Sequence, residues 1–215
     1  MRDKIRKRDG MVRFLTFGLL TLLFSLSMAV TAHSGQFEDA VAAYERGDYA
    51  TAFRLMKPFA EKGDAKSQHN LGVMYDYGRG VPQDNTEALK WYRKAAEQGL
   101  PDAQYNLGLM YEKGQGVPQN HTEAGKWYRR AADQGLPEAQ VNLGIMYYNG
   151  QGVPQDYILA HMWLNLAASQ YPASVKKRVN DVVNYSDIVK AKMTPAQIAE
   201  AQRLAREWKP KVEGR

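Results

Sequence analysis

The side chains that could carry catalysis are few in this 215-residue chain, and their spacing does not suit it. Its four histidines, His33, His69, His121 and His161, show none of the short regular spacings by which neighbouring ligands meet one metal ion. No serine sits in the sharp glycine-flanked turn that exposes a nucleophile. Cysteine is absent, which excludes disulfides, a thiol nucleophile, a thiolate metal site and a lipid-modified cysteine. Gly-x-Gly occurs at Gly78-x-Gly80, Gly114-x-Gly116 and Gly150-x-Gly152, but each follows a helical pattern rather than a strand, so these loops do not read as phosphate cradles. Asn120-His121-Thr122 matches a glycosylation sequon by pattern only. The expectation is a non-enzyme with no cofactor and no metal site, in which charges, amides and phenols serve binding.

Those groups ride on a repeated element. Leu71-Gly72-Val73-Met74-Tyr75, Leu107-Gly108-Leu109-Met110-Tyr111 and Leu143-Gly144-Ile145-Met146-Tyr147 stand 36 residues apart. The same offset aligns Gly78-x-Gly80-Val81-Pro82-Gln83 with its two later copies, then Trp91, Trp127 and Trp163, then Ala95-Ala96, Ala131-Ala132 and Ala167-Ala168. A period of this length means stacked supersecondary units. Within a unit, Ala103, Leu107, Tyr111 and Gly114 mark one face of a first helix, A, while Ala124, Trp127, Tyr128, Ala131 and Ala132 mark a second, B. Pro101 and Pro137 suit the first turn of A, Gly78 and Gly80 stop it, and Asp84-x-x-Glu87 has the spacing of a capping box at the start of B. A glycine inside helix A costs about 1 kcal/mol relative to alanine, so close approach of helix B must offset it. The Trp column is expected to be buried, with Trp127→Ala costing about 3–5 kcal/mol.

The ends depart from the period. Residues 1–32 read as a signal peptide, with a basic start, an apolar run from Phe14 to Val30 and a small-residue site ending at Ala32. That predicts a periplasmic or secreted protein, an uncleaved anchor being the alternative and the only membrane contact expected; Met11 is a second candidate start. Of the formal net charge of +6, four charges come from Arg2, Lys4, Arg6, Lys7, Arg8 and Arg13 against Asp3 and Asp9, leaving a body too near neutrality for nucleic acid. Residues 33–63 read as a divergent helix pair, 64–171 as three repeats, and 172–215 as C-terminal capping helices and a frayed tail, with Thr194-Pro195-Ala196-Gln197 starting the last helix. The pairs Arg93-Lys94 and Arg129-Arg130 and the run Lys176-Lys177-Arg178 read as solvated surface.

The unit from Ala96 to Ala132, A-x-x-G-x-x-x-A-Q-x-N-L-G-x-M-Y-x-x-G-x-G-V-P-Q-(D/N)-x-x-x-A-x-x-W-x-x-x-A-A, resembles the Sel-one-like repeat (SLR) family, relatives of the tetratricopeptide repeats. The resemblance implies an all-α, right-handed α-solenoid of antiparallel helix pairs, acting as an adaptor that binds a protein or peptide. It also implies a concave groove lined by helix A. The columns placed there vary between copies: Lys66/Asp102/Glu138, His69/Tyr105/Val141, Asp76/Glu112/Tyr148 and Tyr77/Lys113/Asn149. Invariant Asn70, Asn106 and Asn142 flank them, holding either a peptide or a neighbouring loop. Some family members with cysteine-locked repeats are linked to β-lactams or peptidoglycan fragments, so an envelope enzyme or binder of cell-wall peptides or β-lactam-like ligands is the alternative. This chain lacks those cysteines.

Overall fold

In a computed structural model, residues 35–211 are described, and they contain helices and no strand. Residues 1–32, which carry the expected signal peptide, lie outside them. Two compact units divide the chain after Met56. The first holds α1 (residues 35–45) and the start of α2 (Tyr49–Glu61), joined by a tight turn in which Gly47 has φ +80° and Tyr44 packs edge-on against Tyr49.

From Lys57 onward, helix pairs follow one another: α3 (Ala65–Tyr77) with α4 (Asn85–Glu97), α5 (Pro101–Lys113) with α6 (His121–Asp133), and α7 (Pro137–Asn149) with α8 (Tyr157–Gln170). Each helix contacts the next, so the second unit is an α-solenoid of A and B helices. Capping is local and repeated. Pro101 and Pro137 occupy the first turn of α5 and α7, where a missing N–H loses no bond. Gly78, Gly114 and Gly150 end the A helices in the left-handed conformation. Gln83, Gln119 and Gln155 each donate an amide proton to a last-turn carbonyl of the preceding A helix, at 2.7, 2.8 and 2.8 Å. Asp84, Asn120 and Asp156 then cap the B helices. Asn120, the sequon asparagine, accepts from the Glu123 N–H at 3.0 Å in that role.

The repeated columns form the core. Leu71, Leu107 and Leu143 are fully buried, as are Ala95, Ala131 and Ala167. The glycine inside each A helix is filled by the residue one beyond the Trp column. A Cβ on Gly72 or Gly108 would lie 2.5 or 2.6 Å from the ring of Tyr92 or Tyr128, and one on Gly144 would lie 2.9 Å from Leu164. Trp91 and Trp163 are buried, but Trp127 is only partly so, with the Arg130 guanidinium 4.7 Å from its ring centre. The expected burial of the Trp column therefore holds at Trp91 and Trp163 and is corrected to partial burial at Trp127.

After α8, a 3-10 turn (Ala173–Val175) leads into α9 (Lys176–Lys190), followed by α10 (Pro195–Glu207). Both pack on α8. Thr194 and Gln197 complete the predicted capping box, and Ala201, Leu204, Ala205 and Trp208 meet the core, Trp208 edge-on to Trp163. The tail is tied down at least as far as Lys211, whose N–H donates to the Asp133 carbonyl at 2.7 Å and whose Nζ lies 2.9 Å from the Asp133 carboxylate.

Candidate functional site

Successive A helices present the variable columns on one face, where three cavities lie in file. The first, of about 300 Å³, is bounded by Asp76, Tyr77, Asn106 and Lys113. The second, of about 240 Å³, lies between His69, Asp102, Tyr105, Asn106 and Glu138. A third, of about 250 Å³, is enclosed by Tyr105, Glu138, Asn142, Tyr171, Arg178 and Tyr185. Neighbouring cavities share walls: Asn106 belongs to the first two, and Tyr105 and Glu138 to the last two.

Nine of the fourteen expected groove residues therefore line the file, and five do not. Lys66 and Asn149 are solvent-exposed. Asn70 is half-buried beside His69, with which it hydrogen-bonds. Glu112 accepts from the Tyr128 hydroxyl at 2.7 Å, as Asp76 does from Tyr92 at 3.3 Å, so these carboxylates brace the tyrosines that fill Gly108 and Gly72. Tyr148 lies against Tyr157, with ring centres 5.8 Å apart. The amide of Asn106 lies 3.0 Å from His69 Nε2, and Asn142 hydrogen-bonds Tyr105 and Tyr128, so two of the asparagines join one A helix to its neighbours while facing the cavities.

Electrostatics vary along the file. Burial holds the His69 imidazole below its usual pKa, which keeps it neutral near pH 7, and raises the Asp76 carboxyl. Burial also pushes the Tyr128 phenol strongly upward and Tyr171 up to about 12, so both remain protonated donors. Among the described residues no group of three or more histidines and carboxylates is placed to hold a metal ion.

Sequence reasoning missed the contribution of α9. Arg178, taken as part of a solvated charge run, donates to Glu138 at 2.8 Å and lies 5.6 Å from the Tyr171 ring centre. Arg129 also departs from the solvated reading, being partly buried, whereas Arg93 is exposed as expected. Arg93 donates to the Tyr111 hydroxyl at 2.7 Å and Arg129 to that of Tyr147, so each links helix B to the next helix A. Tyr111 and Tyr147 stand 18 residues on from these arginines, half the repeat, and that spacing was the available signal.

Tandem helix hairpins with hollows along one helical face define a repeat-built α-solenoid. The chain belongs to the Sel1 repeat family, whose repeat matches residues 34–64, 65–100, 101–136 and 137–171. The divergent leading pair is thus the first of four repeats. Among solved structures, the fold is similar to c5321, a protective antigen of uropathogenic Escherichia coli with an SLR fold, at TM-score 0.71 and 34% identity over 82% of this chain and 37% of that one. A Sel1 repeat protein from Oxalobacter formigenes matches at TM-score 0.52 and 44% identity over 59% of this chain and 95% of that one. Curated relatives include mouse DAP3-binding cell death enhancer 1, 36% identical over 31% of this chain and 12% of its own length. Another is the Arabidopsis thaliana ERAD-associated E3 ubiquitin-protein ligase component HRD3A, 37% identical over 29% of this chain and 10% of its own. The match thus spans about a tenth of each of these two curated relatives.

Proposed function

We propose that this protein is an exported, non-catalytic adaptor that holds a segment of another protein along the face of α3, α5, α7 and α9. The observation that carries this reading is the sharing of walls between the three cavities, which makes them one interrupted trough. Four such helices at about 8–10 Å spacing give a length that an extended chain covers with on the order of nine residues. The relatives accord with such a role: one is named for binding a protein, the other as a component of a ligase assembly. Export rests on the composition of residues 1–32.

A photo-crosslinking residue in place of Tyr105, compared with one in place of the exposed Lys126 on α6, tests the site in extracts of the cell envelope. Discrete adducts from position 105 and none from 126 are expected. Adducts from position 126 alone, or hydrolysis of muropeptides by the purified protein, would overturn the adaptor reading. N-terminal sequencing of the exported protein tests processing, with His33 expected as the first residue.

A further inference from the structure

We infer that the segment held in this trough presents a basic side chain, a guanidinium or an ammonium, to the middle cavity, between Asp102 and Glu138 and against the Tyr105 ring. This rests on the trough reading above and names the chemistry of its occupant.

The protein already contains one such contact made by its own chain. The turn and helix from Ala173 begin 36 residues after Pro137, so α9 stands where the helix A of a fifth repeat would. Arg178 consequently falls at the register of Asn70, Asn106 and Asn142. From there it reaches back to the preceding helix A, setting its Nη1 2.8 Å from Glu138 Oε1, with the guanidinium 5.6 Å from the Tyr171 ring centre. A carboxylate and an aromatic ring thus receive an arginine, two interactions that favour a planar cation.

One repeat earlier the carboxylate is present and its cation is not. Asp102 takes the place of Glu138, and Asn142 that of Arg178. The asparagine side chain is short and uncharged, and it is engaged by Tyr105 and Tyr128. No salt bridge to Asp102 forms among the described residues, and the nearby His69 is kept neutral by burial. The middle cavity therefore holds two carboxylates, Asp102 and Glu138, with the Tyr105 ring between its walls and no cation of its own. Arg178 approaches Glu138 from the neighbouring cavity and is bonded to one oxygen, leaving the other. An incoming arginine would find a carboxylate and an aromatic ring, as Arg178 does, the ring being Tyr105 because Gly135 holds the register of Tyr171, while a lysine would find the charges without the match of shape. An acidic segment would meet two like charges.

The test uses the full chain. A display library of random nonapeptides is selected on it, and the binders are synthesised with blocked ends. Enrichment of Arg or Lys at one position is expected, with shifts in the Tyr105, Asn106 and Asn142 amide resonances. Replacing that arginine by citrulline, which keeps the shape and loses the charge, should weaken binding at least tenfold. Asp102→Asn should remove most of this discrimination with an unchanged circular dichroism spectrum. Glu138→Gln serves as a second variant should Asp102→Asn lose helix. Peptides that shift those resonances equally well with arginine or citrulline would overturn the basic side chain and leave the trough standing. Peptides that perturb only B-helix residues, or a library that yields no binder, would overturn both.

Discussion

At Gly108 two opposing effects can be weighed on one atom. Alanine is favoured over glycine within a helix by about 1 kcal/mol, but a Cβ here would sit 2.6 Å from a ring carbon of Tyr128, which is fully buried and hydrogen-bonded to Glu112. Overpacking of that kind costs about 1–3 kcal/mol, so Gly108→Ala should lower the stability read from urea unfolding by a net of about 0–2 kcal/mol. Gly125, inside α6, has only Met146 Cε and Val153 Cγ1 at 3.3 Å, both ends of side chains that can move. Gly125→Ala should hold that stability or raise it by up to about 1 kcal/mol, and a drop equal to that of Gly108→Ala would remove the distinction. The Trp column divides in the same way. Trp163→Ala, from a buried site edge-on to Trp208, should cost about 3–5 kcal/mol, whereas Trp127→Ala, from a partly buried site, should cost about 1–3. The sequence could show that glycine and aromatic columns belong to the core. It could not show which aromatic fills the glycine, because Tyr92 and Trp91 are adjacent on one helix and only the angle of approach separates them.

Single helices were the most legible scale, because what starts and stops them is local. Proline, aspartate, glycine and the box at Thr194–Gln197 do what their positions in the sequence require. Helix α9 was expected as a capping helix, but the role of Arg178 within its charged run was not legible there: Glu138, its partner, lies 40 residues away, outside the period. The joint between α8 and α9 carries a pH dependence. His161 Nδ1 lies 2.8 Å from Ser186 Oγ, and Ser186 donates its only proton to Asn165 at 2.8 Å, so the imidazole donates from Nδ1. Burial is the main cause that holds this histidine below its ordinary value of 6.5, with Lys190 acting in the same sense and Asp187 against it. The folded state therefore binds the proton less readily than the unfolded chain. The resulting stability is complete above pH 6.5 and declines as pH falls below it toward the folded pKa. The melting temperature should fall between pH 7.5 and pH 5. His161→Gln should flatten that fall while His69, shifted in the same direction, retains its share; an identical slope in the variant would count against the assignment.

Across the whole second unit, one repeat is joined to the next by a short chain of amides. Gln68 and Gln104 are buried, donate to the carbonyls of Ala60 and Ala96, and accept from Gln98 and Gln134 of the following B helix at 2.7 and 2.8 Å. Gln104→Leu keeps the bulk but removes one of the donors to the Ala96 carbonyl, which still accepts from the Gly99 N–H, and one acceptor of the Gln134 amide, which still donates to the Gly99 carbonyl at 2.9 Å. A loss of about 1–2 kcal/mol is expected for the two bonds. Hydrogen exchange should then show repeats on the two sides of α5 opening separately rather than together. These glutamines were visible as an invariant column, yet their purpose was not, since a buried amide and an exposed one leave the same mark in a sequence.

The second glycine of each loop has a further consequence. A Cβ on Gly116 would lie 2.4 Å from the Asn85 carbonyl oxygen, and one on Gly152 would lie 2.3 Å from that of His121, so two backbones touch at each junction. This edge acts as a fulcrum. A methyl group there would wedge successive hairpins apart and change the span across which Asp102 and Glu138 face one another, without altering any residue a ligand touches. The selectivity of the proposed binding face would therefore be heritable in two places, in the side chains that make it and in a hydrogen atom that sets the distance between them.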